Sequence, residues 1–235
     1  PTVFTTTDDD GELLADLEAY EGMLVTFGDT LTVDEYFNYD RFGEIRLTEG
    51  DRPYQFTQTN DPSQAGFQAH LEDLAKRSIV LDDGFTTQNP EDLPYPAPGF
   101  ADNNAFRGGD TVTGLTGVLT YSFDQYRVQP LQDPVFVSQN PRPSGPDDVG
   151  GRLTVASFNV LNYFTTLDEG GNTSGPNNLD PRGADSQAEF DRQQQKLVTA
   201  IAELDADILG LVELENTDIV GGEDVVLENL VNAIN

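Results

Sequence analysis

Leu153-Thr-Val-Ala-Ser-Phe-Asn159-Val-Leu-Asn162 and Asp207-Ile-Leu-Gly-Leu-Val-Glu213-Leu-Glu-Asn216 are two short apolar runs that end in polar side chains. Between them, Ser186-Gln-Ala-Glu189 has the form of a capping box. It opens a helical pattern whose apolar face holds Phe190, Leu197, Ile201 and Leu204. A strand, a helix and a second strand deliver both strand ends to one edge of a core. Asn159 and Glu213 are therefore expected on the same rim. A carboxylate there suits a hard divalent cation, and a nearby amide can orient a phosphate without adding charge. An ordinary strand-end carboxylate and a turn-forming Asn have the same spacing, so spacing alone leaves both readings open.

Downstream, Val226, Leu227, Leu230 and Ile234 predict a last amphipathic helix. Upstream, Thr165–Arg182 reads as a long polar loop. The stretch 139–150, dense in Pro, Gly and Asp, reads as a semi-stiff linker between domains. The organisation is thus a polar segment over 1–12, a first domain over 13–138, the linker, and a second domain over 151–235.

The first domain changes period several times. Glu12–Tyr20 has helical spacing at Leu13, Leu14 and Leu17, and Gln64–Lys76 has it at Phe67, Leu71 and Leu74. Strands are predicted at 22–27, 30–36, 42–47, 78–81, 110–121 and 126–129, with Gly114 and Gly117 marking a bend or bulge. About five strands, one helix and a bent strand predict an OB-like five-stranded barrel. The fold class read from the whole chain is mainly β plus α/β.

The charge is −30, from 42 acids against 12 bases in 235 residues. Such a field repels nucleic acid at long range. It fits a surface adapted to a halophilic or marine, high-salt setting, or acids that bind divalent cations, and the two are compatible. Absence of cysteine excludes disulfides, thiolate metal sites and thiol catalysis. No run reaches the roughly 18 apolar residues of a membrane span. The chain begins at Pro1 with no basic and apolar leader pattern, so the signal peptide expected of a secreted protein is either already removed or lies ahead of a start inside a longer protein. The Asp8–Asp10, Asp82-Asp83 and Asp147-Asp148 clusters match no calcium loop, and Gly108-Gly109 and Gly221-Gly222 lack a phosphate-loop context.

Val155–Phe164, Arg182–Ser186, Glu189–Gln193 and Ala206–Asn216, in that order, resemble the secreted bacterial nuclease branch of the endonuclease/exonuclease/phosphatase superfamily. The resemblance extends backwards. Leu17–Val25, Tyr39–Leu47, Arg52–Thr57, Gly109–Leu119 and Tyr126–Pro130 are similar to the OB-fold-like module preceding the nuclease domain in such enzymes. It implies an extracellular, divalent-metal-dependent hydrolase of DNA or RNA. Asn159 and Glu213 would be catalytic, with Glu213 the metal ligand. Mg²⁺ is the expected ion, with Mn²⁺ or Ca²⁺ as alternatives. Arg182 and Asp185 fall in a branch-typical stretch and are expected to anchor the long loop on the rim.

OB modules stack bases on aromatics in a basic groove. Tyr36, Tyr39, Phe42 and Tyr54, near Arg41, Arg46 and Arg52, are the candidates for nucleic-acid binding. Barrel core is the competing assignment for these aromatics. The family completes its site with later Asp-Asn and Asp-His motifs, which this chain lacks. Its one histidine, His70, lies on the helix of the first domain. The expectation is an α/β-sandwich domain cut short at Asn235, inactive by itself, with an apolar face open to self-association. The rival reading is a non-catalytic binding or assembly module. A phosphoesterase of lipid or inositol phosphates is a third, disfavoured by the OB-like module.

Overall fold

A computed structural model of the chain describes residues 2–3, 17–101, 103–217 and 224–235. Most of the polar stretch 1–12, the helix start at Glu12 and the Gly221-Gly222 pair fall outside these residues. The chain divides into two compact units, Pro1–Arg142 and Pro143–Asn235.

The first unit is mixed α/β and dominated by one sheet. Its strands are β1 (Thr2–Val3), β2 (Leu24–Phe27), β3 (Leu31–Glu35), β4 (Ile45–Glu49), β5 (Ser78–Leu81), β6 (Thr111–Thr113), β7 (Thr116–Ser122), β8 (Gln125–Pro130) and β9 (Val135–Val137). They order as β1-β2-β7-β8-β5-β4-β3-β6-β9. The sequence pattern predicts about five strands closed into a barrel. The sheet instead has nine, and no ladder closes it among the described residues. The predicted 110–121 strand is two, because Gly114 turns the chain at φ 66° and β6 and β7 pair with different neighbours. Gly117 lies so close to the Gln129 carbonyl across the β7·β8 ladder that a Cβ would collide with it.

Alternation drives this unit's core. Val25, Phe27, Leu31, Val33, Ile45, Leu47, Leu81, Leu119 and Val128 are fully buried, and all face inward along their strands. A 3-10 turn over Leu17–Tyr20, the described end of the helix expected at Glu12–Tyr20, two single-turn helices, α1 (Tyr39–Phe42) and α2 (Phe56–Thr59), and the longer α3 (Gln64–Arg77) complete the described part of the unit. Ser63 caps α3 by accepting from the Gly66 N–H. No residue of α3 is buried: Phe67 and Leu71 stay about half exposed and line clefts beside the sheet.

Asp110, only 3% exposed, fixes where the unit ends. Its Oδ1 accepts the N–H groups of Gln139 and Asn140, and its Oδ2 that of Arg107. Gln139 and Asn140, placed by the sequence reading in the linker, therefore belong to the first unit. Residues 141–153 are exposed and hold no strand or helix. Trypsin is expected to cut first after Arg152 and to leave a resistant amino-terminal fragment. An initial cut inside a strand of the first unit would contradict this.

The second unit contains β10 (Val155–Tyr163), α4 (Gln187–Leu204), β11 (Ile208–Leu214) and α5 (Val225–Ile234). β10 and β11 pair in parallel from Val155↔Ile208 to Asn159↔Val212. Asp207 joins the strand starts by accepting from Thr154 N and Oγ1. Ser186 caps α4 through the Glu189 N–H, while Glu189 reaches back to the Asp185 N–H, one residue before the usual box partner. Val160, Tyr163, Phe190, Leu197, Val226 and Leu230 form the core, and Ile201 packs against it. The opposite sheet face is apolar but uncovered: Val155, Leu161, Ile208 and Val212 are 50–74% exposed. Parallel strands are normally buried on both faces. Among the described residues no helix is long and apolar enough to cross a membrane.

Candidate functional site

Asn159 and Glu213 meet at the carboxyl ends of β10 and β11. Asn159 Nδ2 donates to Glu213 Oε1 at 2.7 Å. Between the Asn159↔Val212 and Tyr163↔Leu214 pairs, β10 carries three residues where β11 carries only Glu213. This bulge has a backbone signature. Leu161 (φ 53°), Asn162 (φ 52°) and Glu213 (φ 66°) are all left-handed, a conformation that costs non-glycine residues roughly 1 kcal/mol or more each. The bent backbone lets the Leu161 N–H reach Asn159 Oδ1 at 2.7 Å. The Asn159 amide is thus used at both ends. Both side chains are exposed, and Glu213 Oε2 accepts no hydrogen bond among the described residues.

The left-handed turn at Glu213 also separates two carboxylates that strict alternation would leave on one face. Glu215 is 2% exposed. Its Oε2 accepts from Thr165 N, Thr165 Oγ1 and Thr166 N, and its Oε1 from Ser174 Oγ at 2.7 Å. Burial pushes this carboxyl up, but the hydrogen bonds from Thr166, Ser174 and Thr165 outweigh burial and hold it below its ordinary value. Glu215 is therefore the anchor of the long loop, a role the sequence reading assigns to Arg182 and Asp185. Arg182 is exposed without a described partner, and Asp185 offers only its backbone N–H to Glu189. A second acid two residues after Glu213 is visible in the sequence, but nothing local marks it as buried.

As a cation site the rim is partial. Glu213 offers one uncommitted carboxylate oxygen, which fits a hard ion that keeps water and substrate phosphate as its other ligands. Among the described residues no three His, Cys, Asp or Glu side chains cluster as a ligand set.

The residues expected to bind nucleic acid do not form one surface. Tyr39 is core, 3% exposed, with its hydroxyl donating to Tyr95 O and accepting from Tyr95 N. Burial pushes its pKa up. Arg41 lies over the Phe42 ring at 5.0 Å on α1. Arg46 is committed to Asp34 and Glu35, with Nε 2.6 Å from Asp34 Oδ2. Arg52 donates its Nε to Asp34 O and lines three clefts, two of which also hold expected aromatics. One, about 710 Å³, also has Arg46, Tyr54, Phe56, Phe67 and His70. The other has Tyr36, which packs edge-on against Phe106. Exposed aromatic surface is present, and of its three arginines Arg46 is neutralised by acids.

Residues 14–141 match the family model described as Domain of unknown function (DUF8508), and the chain belongs to that family. The match ends one residue before the boundary of the first unit. No curated protein and no solved structure matches the chain.

Proposed function

We propose that residues 151–235 are the opening part of an endonuclease/exonuclease/phosphatase-type domain, carried behind an OB-like module in a secreted nuclease of DNA or RNA. The observation that carries this reading is the Asn159–Glu213 contact at the ends of two adjacent parallel strands. A strained backbone that serves only a surface hydrogen bond is poor value for stability, whereas strain at a site that orients ligands is common. Glu213 would hold Mg²⁺, or Mn²⁺ or Ca²⁺, and Asn159 would orient the carboxylate and a substrate phosphate. The bound ion would supply charge to a phosphodiester under attack by water.

The apolar outer face of β10 and β11 supports a place inside a two-sheet sandwich. What supports the OB-like reading is the order β3-β4-β5-β8-β7-β2, whose two ends are consecutive in the chain, joined by Gly28-Asp29-Thr30. On this reading the ring is completed by the chain itself, as in a partly open Greek-key barrel. The same uncovered sheet face favours one rival, a non-catalytic module that self-associates or assembles with other chains.

The 235 residues alone are expected to cleave nothing, because among the described residues no set of three His, Cys, Asp or Glu side chains gathers to complete a metal site with Glu213. Plasmid and single-stranded DNA with Mg²⁺, Mn²⁺ or Ca²⁺ test this. Cleavage that co-purifies with the chain and disappears in Glu213→Ala would sink the inactivity. In a longer protein containing this chain and a complete site, Glu213→Gln should cut turnover at least about a hundredfold while preserving the fold. Asn159→Ala should cost roughly ten- to a hundredfold, as for groups that orient a metal ligand. Normal turnover in both variants would refute the site.

A further inference from the structure

We infer that Gln193, on α4, is the positioning residue for the Asn159–Glu213 pair; its chemical meaning rests on the reading proposed above. The bulge places three β10 residues against one of β11, so its carbonyls lose regular ladder partners. Gln193 Nε2 donates to two of them, Val160 O at 3.2 Å and Leu161 O at 2.7 Å. A side-chain amide has two N–H donors, one for each carbonyl. This grip holds Leu161 in its left-handed conformation, which aims the Leu161 N–H at Asn159 Oδ1. With Oδ1 so engaged, Asn159 can present only Nδ2 to Glu213. The flipped amide would set oxygen against carboxylate and NH₂ against N–H, both repulsive. One chain of contacts thus runs from the helix through the bulge to the carboxylate.

The adjacent glutamines act elsewhere. Gln194 Nε2 donates to Tyr163 Oη and Asn229 Oδ1 inside the core. The Gln195 side chain is exposed and has no described partner. Three identical side chains in a row therefore have three fates, and only Gln193 faces the bulge.

The test uses the full 235-residue chain and nuclear magnetic resonance. Gln193→Glu keeps the shape but removes the donors, Gln193→Lys restores a donor, and Gln195→Ala controls for the helix. Gln193→Met, uncharged and similar in length, carries the same expectation as Glu should the added charge unsettle α4. Loss of the donors should speed Leu161 amide exchange roughly three- to tenfold, the worth of about one hydrogen bond, and shift the Asn159 side-chain NH₂ signals. Lys should reverse both effects, and Gln195→Ala should show neither. With manganese chloride alone as probe, the concentration that broadens Glu213 signals should rise about ten- to a hundredfold in Gln193→Glu. Unchanged Leu161 exchange and Asn159 signals in both donor-free variants overturn the positioning role, whatever manganese does. If those signals respond but manganese never broadens Glu213 in the unmodified chain, Gln193 still sets the geometry and the metal-dependent reading falls.

Discussion

Arg127→Ala is expected to destabilise the first unit by about 3–5 kcal/mol, the cost of removing one partner from a buried ion pair. Arg127 is 3% exposed, and its Nη1 lies 2.6 Å from both Glu44 Oε1 and Asp82 Oδ2. Its Nε donates to Ser122 O, and its guanidinium sits 5.1 Å from the Phe123 ring centre. Burial pulls its pKa down, yet the bonds to Asp82 and Glu44 more than reverse that and leave it raised. Glu44 precedes β4, Asp82 follows β5, and Arg127 lies in β8. The triad therefore ties three strands at the seam where β5 and β8 run parallel. That seam has only two paired positions, Val80↔Arg127 and Leu81↔Val128, and needs the help.

The pH dependence gives a second signature. Without Arg127, Glu44 and Asp82 are left beside Asp83, whose pKa is already raised by burial and then by Asp82 and Glu44. Carboxyls with folded-state pKa values above the unfolded ones stabilise below the unfolded pKa and lose that contribution as pH rises through the folded pKa. The variant should thus regain stability on acidification, measured by denaturant midpoints across pH. Arg127→Met combined with Glu44→Gln and Asp82→Asn should recover much of the loss, because no uncompensated charge is left buried. An Arg127→Ala chain within about 1 kcal/mol of the unmodified one would show that the triad is not what holds the seam.

This seam illustrates what the sequence could and could not disclose. The pattern of alternation and short apolar runs between turn residues finds β2 to β5 and β8, whose burial ranges from one clear inward face in β2 to nearly continuous burial in β3 and β5. It cannot find β9, three residues after Pro134, or β1 within a polar terminus, because both are recruited as edges by neighbours far along the chain. Helical period locates α3 to within a residue, but not how far Phe67 and Leu71 remain exposed, since amphipathicity says which face turns inward and not whether anything covers it. Apolar runs ending in Asn159 and Glu213 disclose the rim. The bulge and the Gln193 grip stay hidden, because three glutamines on a polar helix face look alike. The aromatic cluster was the least legible. Tyr36 and Tyr39 differ by three positions, yet one is half exposed and the other is core, a split decided by the loop that brings Tyr95 to the Tyr39 hydroxyl.

Glu215 is the clearest case of a residue whose role is set at a distance, and its removal should have the second large effect. Glu215→Ala deprives two backbone N–H groups and two hydroxyls of their acceptor. The hydroxyls can rotate toward other partners, but the N–H groups of Thr165 and Thr166 cannot. At about 1–3 kcal/mol for each buried donor left unpaired, the second unit should lose roughly 2–5 kcal/mol. The loss should appear first as faster amide exchange across 165–179, since this carboxylate is what fastens the loop to β11. Glu215→Gln should be much milder. Its oxygen can replace Oε2 toward the three donors, and its NH₂ can donate to Ser174 Oγ. The two variants should also differ in pH response. Glu215 has a folded-state pKa below the unfolded one. Its contribution is therefore fully present above the unfolded pKa and is lost as pH falls through the lower folded value. The unmodified chain should show this acid loss in the second unit, and Glu215→Gln should not. If Glu215→Gln keeps the same acid limb, or if Glu215→Ala costs less than about 1 kcal/mol and leaves exchange across 165–179 unchanged, the Glu215 carboxylate is not what fastens this loop.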